Sequence, residues 1–342
     1  MKEKMKFIPY SNGFYKIKHN KNIKPSSIIK KIIIFIAIIL SIGFIYQIIS
    51  DKIQLKSLES KNKYVRIDNK KYYFKSLGEE KPTVIFESDI GMGIDQWGKV
   101  QKVISDKYKI RTFSYDRAGY GFSEYGKDRN PEEQARLLRM ILKKVGLSGP
   151  YILVGEGYGS ILISSFANLY PDLVSGVVLV NPINVSALKN NDYISNFKNK
   201  KFISKFNKYG SYIGINDLLN KFGLLPVPNS VNKYFNEEQL TNYNVFRLNK
   251  NFTSAYYNEL NNILNLNSSI QKEGALSKWP LKIIISDNNK KYLEELKMIG
   301  SPELTEIITA DNQYEYVSLE KPEVIIEAIK SMIDTLKVQL SS

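Results

Sequence analysis

The chain has 342 residues, 43% of them apolar, and a formal net charge of +15. That length accommodates one large domain of about 280 residues with an appendage. There is no cysteine, which excludes structural disulfides, thiolate metal sites and a cysteine nucleophile together. The charge is unevenly spread: residues 1–31 hold nine Lys and one Glu, a local +8 that leaves +7 for the rest.

Residues 32–49 form an 18-residue run interrupted only by Ser41, Gly43, Tyr46 and Gln47. It is close to the ~20 residues needed to cross a bilayer, and it predicts a transmembrane helix. The long basic stretch before it, with no small-residue cleavage site after it, predicts an uncleaved signal-anchor rather than a signal peptide. The positive-inside rule then makes residues 1–31 a basic cytoplasmic tail and places the main domain outside a bacterial cell membrane, single-pass. Lys52, Lys56, Lys61, Lys63 and Arg66 follow the helix and weaken the bias across it. The expected partner of this part is the lipid bilayer through residues 32–49, and the basic tail is accounted for by topology and anionic lipid. No aromatic-basic platform supports nucleic-acid binding.

Residues 50–61 read as a polar linker, and the domain proper as residues 62–342. Tyr64–Ile67 and Tyr72–Lys75 read as a hairpin about Asn69-Lys70. Thr83–Glu87 is a short apolar run of the kind buried on both faces of a sheet. The loop Ser88–Gly93, a helix around Trp97–Ile104 and the strand Ile110–Tyr115 follow. The next helix carries its own punctuation: Asn130 as N-cap, Pro131 at the first position, Glu133 completing a capping box, and Gly146 beyond the end. Then come a strand from Tyr151, a helix from Ser160 to Tyr170 stopped by Pro171, and the strand Val177–Val180. Residues 186–276 change character to Asn- and Lys-rich helical segments broken by Pro226 and Pro228, a helical lid whose spaced aromatics form its own core. Leu281–Ser286 and Leu304–Thr309 are the last strands, and Pro322 opens a closing helix. Strict strand–helix alternation predicts an α/β fold with a mostly parallel twisted sheet, helices on both faces, and ligands at the carboxyl ends of the strands.

At one such end lies Gly155-Glu156-Gly157-Tyr158-Gly159. It has the form of the G-x-S-x-G elbow, in which a serine on a tight strand-to-helix turn attacks an ester or amide. Gly157 stands where the hydroxyl would be. The frame is kept and the reagent is missing.

Together with Phe86–Gly93, Tyr115–Ser123, Gly149–Gly155 and Leu319–Val324 in this order, the elbow resembles the α/β-hydrolase superfamily, in its bacterial serine-hydrolase-like branch with a helical lid. The resemblance covers roughly residues 62–340. It implies a triad in chain order Ser, Asp, His, and the corresponding positions here are Gly157, Asp287 and Glu315. The one histidine is His19, before the membrane segment. The resemblance also implies an oxyanion loop with glycine where Asp89 stands, and a carboxylate there is expected to repel a developing oxyanion. Ser160 is expected to face packing partners rather than to act as a nucleophile. Asp89, Glu156, Tyr158, Asp287 and Glu315 are the candidates around Gly157 for a ligand pocket. The four carboxylates either converge on a cation or are solvated and paired with Lys and Arg, and the second arrangement is expected, with no metal and no cofactor. Asp116 and Arg117 are expected to fix their own turn. The expected function is binding without catalysis, of a small ligand under the lid or of an envelope protein. The alternatives are an ester or lipid hydrolase with an unorthodox nucleophile and a structural partner in a membrane complex.

Overall fold

The computed structural model describes residues 25–58 and 63–341. The chain divides into two compact units, residues 1–42 and 43–342. The basic tail expected at 1–31 lies outside the described residues as far as residue 24, and so do residues 59–62 of the expected linker.

Helix α1 runs Pro25–Ser57 and contains the apolar window Ile28–Ile53, of mean hydropathy 2.8. Among the described residues it is the one helix long and apolar enough to cross a membrane. It outruns the apolar segment at both ends. Residues 50–57, expected to be linker, are therefore helical, because Asp51-Lys-Ile-Gln-Leu-Lys-Ser57 contains neither glycine nor proline to stop the helix.

The elements that follow are β1 (Lys63–Ile67), β2 (Lys70–Leu77), β3 (Glu80–Glu87), α2 (Gly98–Tyr108), β4 (Ile110–Tyr115), α3 (Pro131–Val145), β5 (Tyr151–Glu156), α4 (Tyr158–Leu169) and β6 (Val174–Val180). A helical insertion comes next: α5 (Asn191–Gly210), α6 (Ile215–Lys221), α7 (Asn229–Tyr234), α8 (Glu237–Phe246) and α9 (Lys250–Leu264). The chain closes with β7 (Leu281–Ser286), α10 (Leu293–Lys297), β8 (Thr305–Ala310), α11 (Val317–Glu320) and α12 (Pro322–Ser341).

The eight strands form one sheet in the order β1-β2-β4-β3-β5-β6-β7-β8. β1, β2 and β4 pair antiparallel, and from β4 to β8 every pairing is parallel. The inner parallel strands β5 and β7 are buried along their length, which is why Tyr151–Val154 and Ile283–Ile285 read as unbroken apolar runs. One face packs Ile85, Phe113, Leu153 and Ile283 against Leu138, Ile141 and Ile163 of α3 and α4. The other packs Phe86, Ile152 and Val178 against Val100 and Ile104 of α2 and Ile325 and Ile329 of α12. The punctuation of α3 is realised as expected: Asn130 Oδ1 accepts from the Glu133 N–H and Glu133 Oε2 from the Asn130 N–H, each at 2.9 Å.

The order in which successive strands are laid across the sheet reverses at β3. β4 lies on one side of it and β5 on the other. This is the place where an open α/β sheet leaves a crevice beyond its carboxyl ends.

Candidate functional site

Two turns meet in that crevice because β3 and β5 are neighbours with Glu87 opposite Gly155. The turn after β5 is the elbow, with Gly157 at φ 53° and ψ −116°. Its flanking glycine is imposed by close approach, since a Cβ at Gly159 would stand 2.3 Å from the Glu87 carbonyl oxygen. The turn after β3 carries Asp89, whose backbone N–H donates to Gln96 Oε1 at 2.8 Å.

Asp89 Oδ1 accepts from the Tyr158 N–H and from the Ile90 N–H, each at 2.7 Å. A Cβ built on Gly157 would lie 2.0 Å from the same oxygen. The carboxylate therefore fills the space that a side chain at position 157 would need. It also takes the N–H of the residue after the nucleophile position, the donor that a G-x-S-x-G elbow offers to an oxyanion. Asp89, expected to repel a developing oxyanion, thus accepts from that N–H itself. Burial pushes its carboxyl up from the ordinary range, while the Tyr158 and Ile90 N–H groups act in the opposite direction.

Glu156 points the other way. Almost fully buried, it accepts from the Val317 N–H at 2.6 Å, the Ser318 N–H at 3.3 Å, the Ser318 hydroxyl and Gln96 Nε2 at 2.7 Å. Burial first, and then repulsion from Asp89, pushes it up to about 7 against the hydrogen bonds it receives. It is thus a rivet between the elbow and α11.

Glu315 and Asp287, the residues expected at the other two triad positions, are engaged elsewhere. Glu315 Oε2 accepts from the Ser230 N–H at 3.0 Å and hydroxyl at 2.9 Å, which ties its loop to α7. Asp287 pairs with Lys290 at 2.6 Å and accepts from the Asn312 N–H at 3.1 Å, and these partners hold its exposed carboxyl low. Among the described residues no group of three or more His, Cys, Asp or Glu side chains is arranged to hold a metal ion. Ser160 is fully buried in the first turn of α4, where its hydroxyl donates to the Gly157 carbonyl at 2.6 Å.

Arg117 does more than fix its own turn. Its guanidinium donates to Glu259 Oε1 at 2.7 Å and Oε2 at 2.9 Å, to the Ser88 carbonyl at 2.6 Å and to the Asp89 carbonyl at 2.9 Å, and it lies 3.4 Å from Glu87. It joins the loop after β4, the Asp89 loop and α9 of the insertion. Asp116 accepts from the Ile94 N–H at 2.9 Å and the Phe122 N–H at 3.3 Å. Above the Asp89 loop, Tyr256 packs so closely that a Cβ at Gly91 would be 2.9 Å from its ring. Tyr158 is buried beneath, its hydroxyl accepting from Asn262 Nδ2 at 2.9 Å. The cavity between Arg117, Arg129, Gln134, Asn258 and Glu259 holds about 20 Å³, room for one water and not for an organic ligand.

Gln96, Ser318, Ser230 and Glu259 were not singled out by sequence reasoning. Each acts on a carboxylate or guanidinium distant in the chain, and no local pattern announces such a pair.

Chemically, the site offers a carboxylate already seated on two backbone donors. A family model described as the alpha/beta hydrolase fold matches residues 82–210. The uncharacterized protein YqjL of Bacillus subtilis (strain 168) is 30% identical over 106 residues, 31% of this chain and 41% of that protein. YbdG of the same organism is 29% identical over 141 residues, 40% of this chain and 43% of that protein. The chain thus spans less than half the length of the curated relatives it matches. Among solved structures, the Cif epoxide hydrolase from Acinetobacter nosocomialis superimposes with a TM-score of 0.64 at 14% identity, covering 84% of this chain and 96% of its own. A putative lipase from Acinetobacter baumannii AYE gives 0.61 at 17% identity, covering 87% and 97%.

Proposed function

We propose that this chain, a protein of the α/β-hydrolase fold, works at a cell membrane by binding rather than by hydrolysis. The observation that carries the reading is the Asp89 carboxylate, which accepts from the Tyr158 N–H where an oxyanion would sit and fills the space above Gly157. A tetrahedral intermediate needs that donor and that space. In this reading α1 is a single-pass anchor with its N-terminal side in the cytoplasm, and the insertion α5–α9 is a lid packed down on the closed site. The contact with a small ligand or an envelope protein is then made by the lid surface. The full chain in detergent micelles is expected to turn over none of a panel of short and long acyl esters and epoxides. Turnover that disappears when Asp89 is replaced by Ala would overturn the reading.

One geometric observation favours a second reading. A carboxylate held by the Tyr158 and Ile90 N–H groups at the nucleophile's place is itself positioned to attack, and relatives in fold are named epoxide hydrolase and lipase. Such an attack on an epoxide breaks one ring C–O bond, the freed oxygen takes a proton from water, and without an imidazole to activate a second water the reaction would stop at the hydroxyalkyl ester of Asp89. Intact-mass measurement after incubation with an epoxide separates the two: the binding reading predicts an unmodified chain, the second a single adduct at Asp89.

A further inference from the structure

The helical insertion leaves a large apolar face uncovered. Phe202, Ile203, Phe206 and Tyr209 lie at helical spacing on α5, and Leu218 on α6 and Phe222 just beyond its end are exposed as well, with exposures from 54% at Leu218 to 71% at Phe222. Phe202 and Phe206 pack edge to face, ring centroids 5.0 Å apart, so the face is formed rather than a scatter of loose side chains. Such a face is costly in water and marks a contact surface.

Two observations say what covers it. The first is its continuity with α1. In the second unit, Gly43 lies against the turn between α5 and α6, where a Cβ would come within 2.4 Å of the Ile213 carbonyl oxygen, and Gly214 would bring a Cβ to 3.3 Å from the Tyr46 ring. Gly43 lies within the apolar window Ile28–Ile53 of α1. The turn between α5 and α6 is therefore seated on the apolar segment of α1 itself. The seam on α1 is polar for the same reason: Gln47 is buried against the insertion and donates to Asp51 at 2.7 Å, whereas its apolar neighbours face outward.

The second is charge. Between residues 198 and 224 the chain carries six lysines and one acid, Asp217, which is buried. Lys198, Lys200, Lys205 and Lys221 are exposed on the same helices as the apolar face. An apolar helical face with lysines beside it matches an anionic lipid surface, with acyl chains taking the Phe and Ile side chains and phosphates the ammonium groups.

We infer that the α5–α6 face lies in the headgroup layer of an anionic bilayer, so that the insertion is a second, interfacial membrane contact beside α1. This rests on the membrane-anchoring half of the reading above and not on the loss of hydrolysis. Because the chain has no cysteine, an environment-sensitive dye can be placed uniquely at Phe206→Cys or Phe222→Cys, with Met140→Cys on α3 as an exposed reference. The full chain is reconstituted in vesicles of phosphatidylcholine with phosphatidylglycerol, with a nitroxide-bearing lipid as quencher.

Quenching of about half the emission at positions 206 and 222, almost none at 140, and a fall on omitting phosphatidylglycerol is the expected result. Equal quenching without anionic lipid would overturn the role given to the lysines. If the chain floats with the vesicles while those dyes are reached only by aqueous iodide, or are shielded from lipid and water alike by a protein neighbour, the docking is overturned and anchoring stands. Failure to float would overturn both.

Discussion

At position 157 a side chain would have to share its space with a carboxylate. The backbone there, at φ 53° and ψ −116°, is left-handed and costly for any residue but glycine, and a Cβ would come 2.0 Å from Asp89 Oδ1. Gly157→Ser alone is therefore expected to lower stability by about 1–3 kcal/mol in denaturant unfolding. The same change combined with Asp89→Gly is expected to recover part of that loss, since the clash is gone; equal losses in both variants would contradict the contact. Arg117 is the other residue on which the site depends. Removing it leaves Glu259 and Glu87 buried without their cation, so Arg117→Ala is expected to cost about 3–5 kcal/mol. A loss below about 1 kcal/mol, the range of a solvent-exposed pair, would show that the network contributes little. The elbow and the missing hydroxyl were legible in the sequence, because both lie within five consecutive residues. The seating of Asp89 was not: Tyr158 is 69 positions away, and only the β3–β5 pairing brings them together.

At the scale of elements, the capping box of α3 was readable because its donors and acceptors sit three residues apart, and it forms as written. Asn130→Ala is expected to cost about 1 kcal/mol, read as a lower unfolding midpoint, with little change for the exposed Met140→Ala on the same helix. The parallel strands were readable for a related reason, that burial on both faces leaves an unbroken apolar run. The C-terminal extent of α1 was not, since residues 50–57 are polar enough for a linker and only the absence of a breaker argues for a helix. The insertion was legible as helical, whereas its attachment to the site was hidden. Glu259 of α9 and Ser230 of α7 hold Arg117 and Glu315 through contacts across 142 and 85 positions.

For the whole molecule, the buried carboxylates set a pH dependence. Glu87, Asp116 and Glu156 are each pushed up to about 7, chiefly by burial. In the unfolded chain they lose their protons near pH 4, so between about pH 4 and 7 the folded state holds more protons, and its stability falls as pH rises through that window. For Glu156 the effect is roughly 3 kcal/mol across the window, fully present below pH 4 and lost above pH 7. The unfolding midpoint is accordingly expected to be higher at pH 5 than at pH 8, and Glu156→Gln is expected to shrink the difference. A midpoint that rises with pH would contradict this. The fold as a whole was legible in strand order and motif order, while the filling of its crevice was a matter of side chains meeting across that fold. The most direct test of that filling is thermal unfolding of the Asp89→Gly full chain with and without acetate at constant ionic strength. Opening the Tyr158 and Ile90 N–H groups should lower the midpoint, and acetate at about ten times its dissociation constant should restore roughly 1.4 kcal/mol, several degrees, by taking the vacated place. The unchanged chain should not respond. If acetate shifts both alike, or neither, the carboxylate of Asp89 does not hold the oxyanion's place and the account fails at its centre.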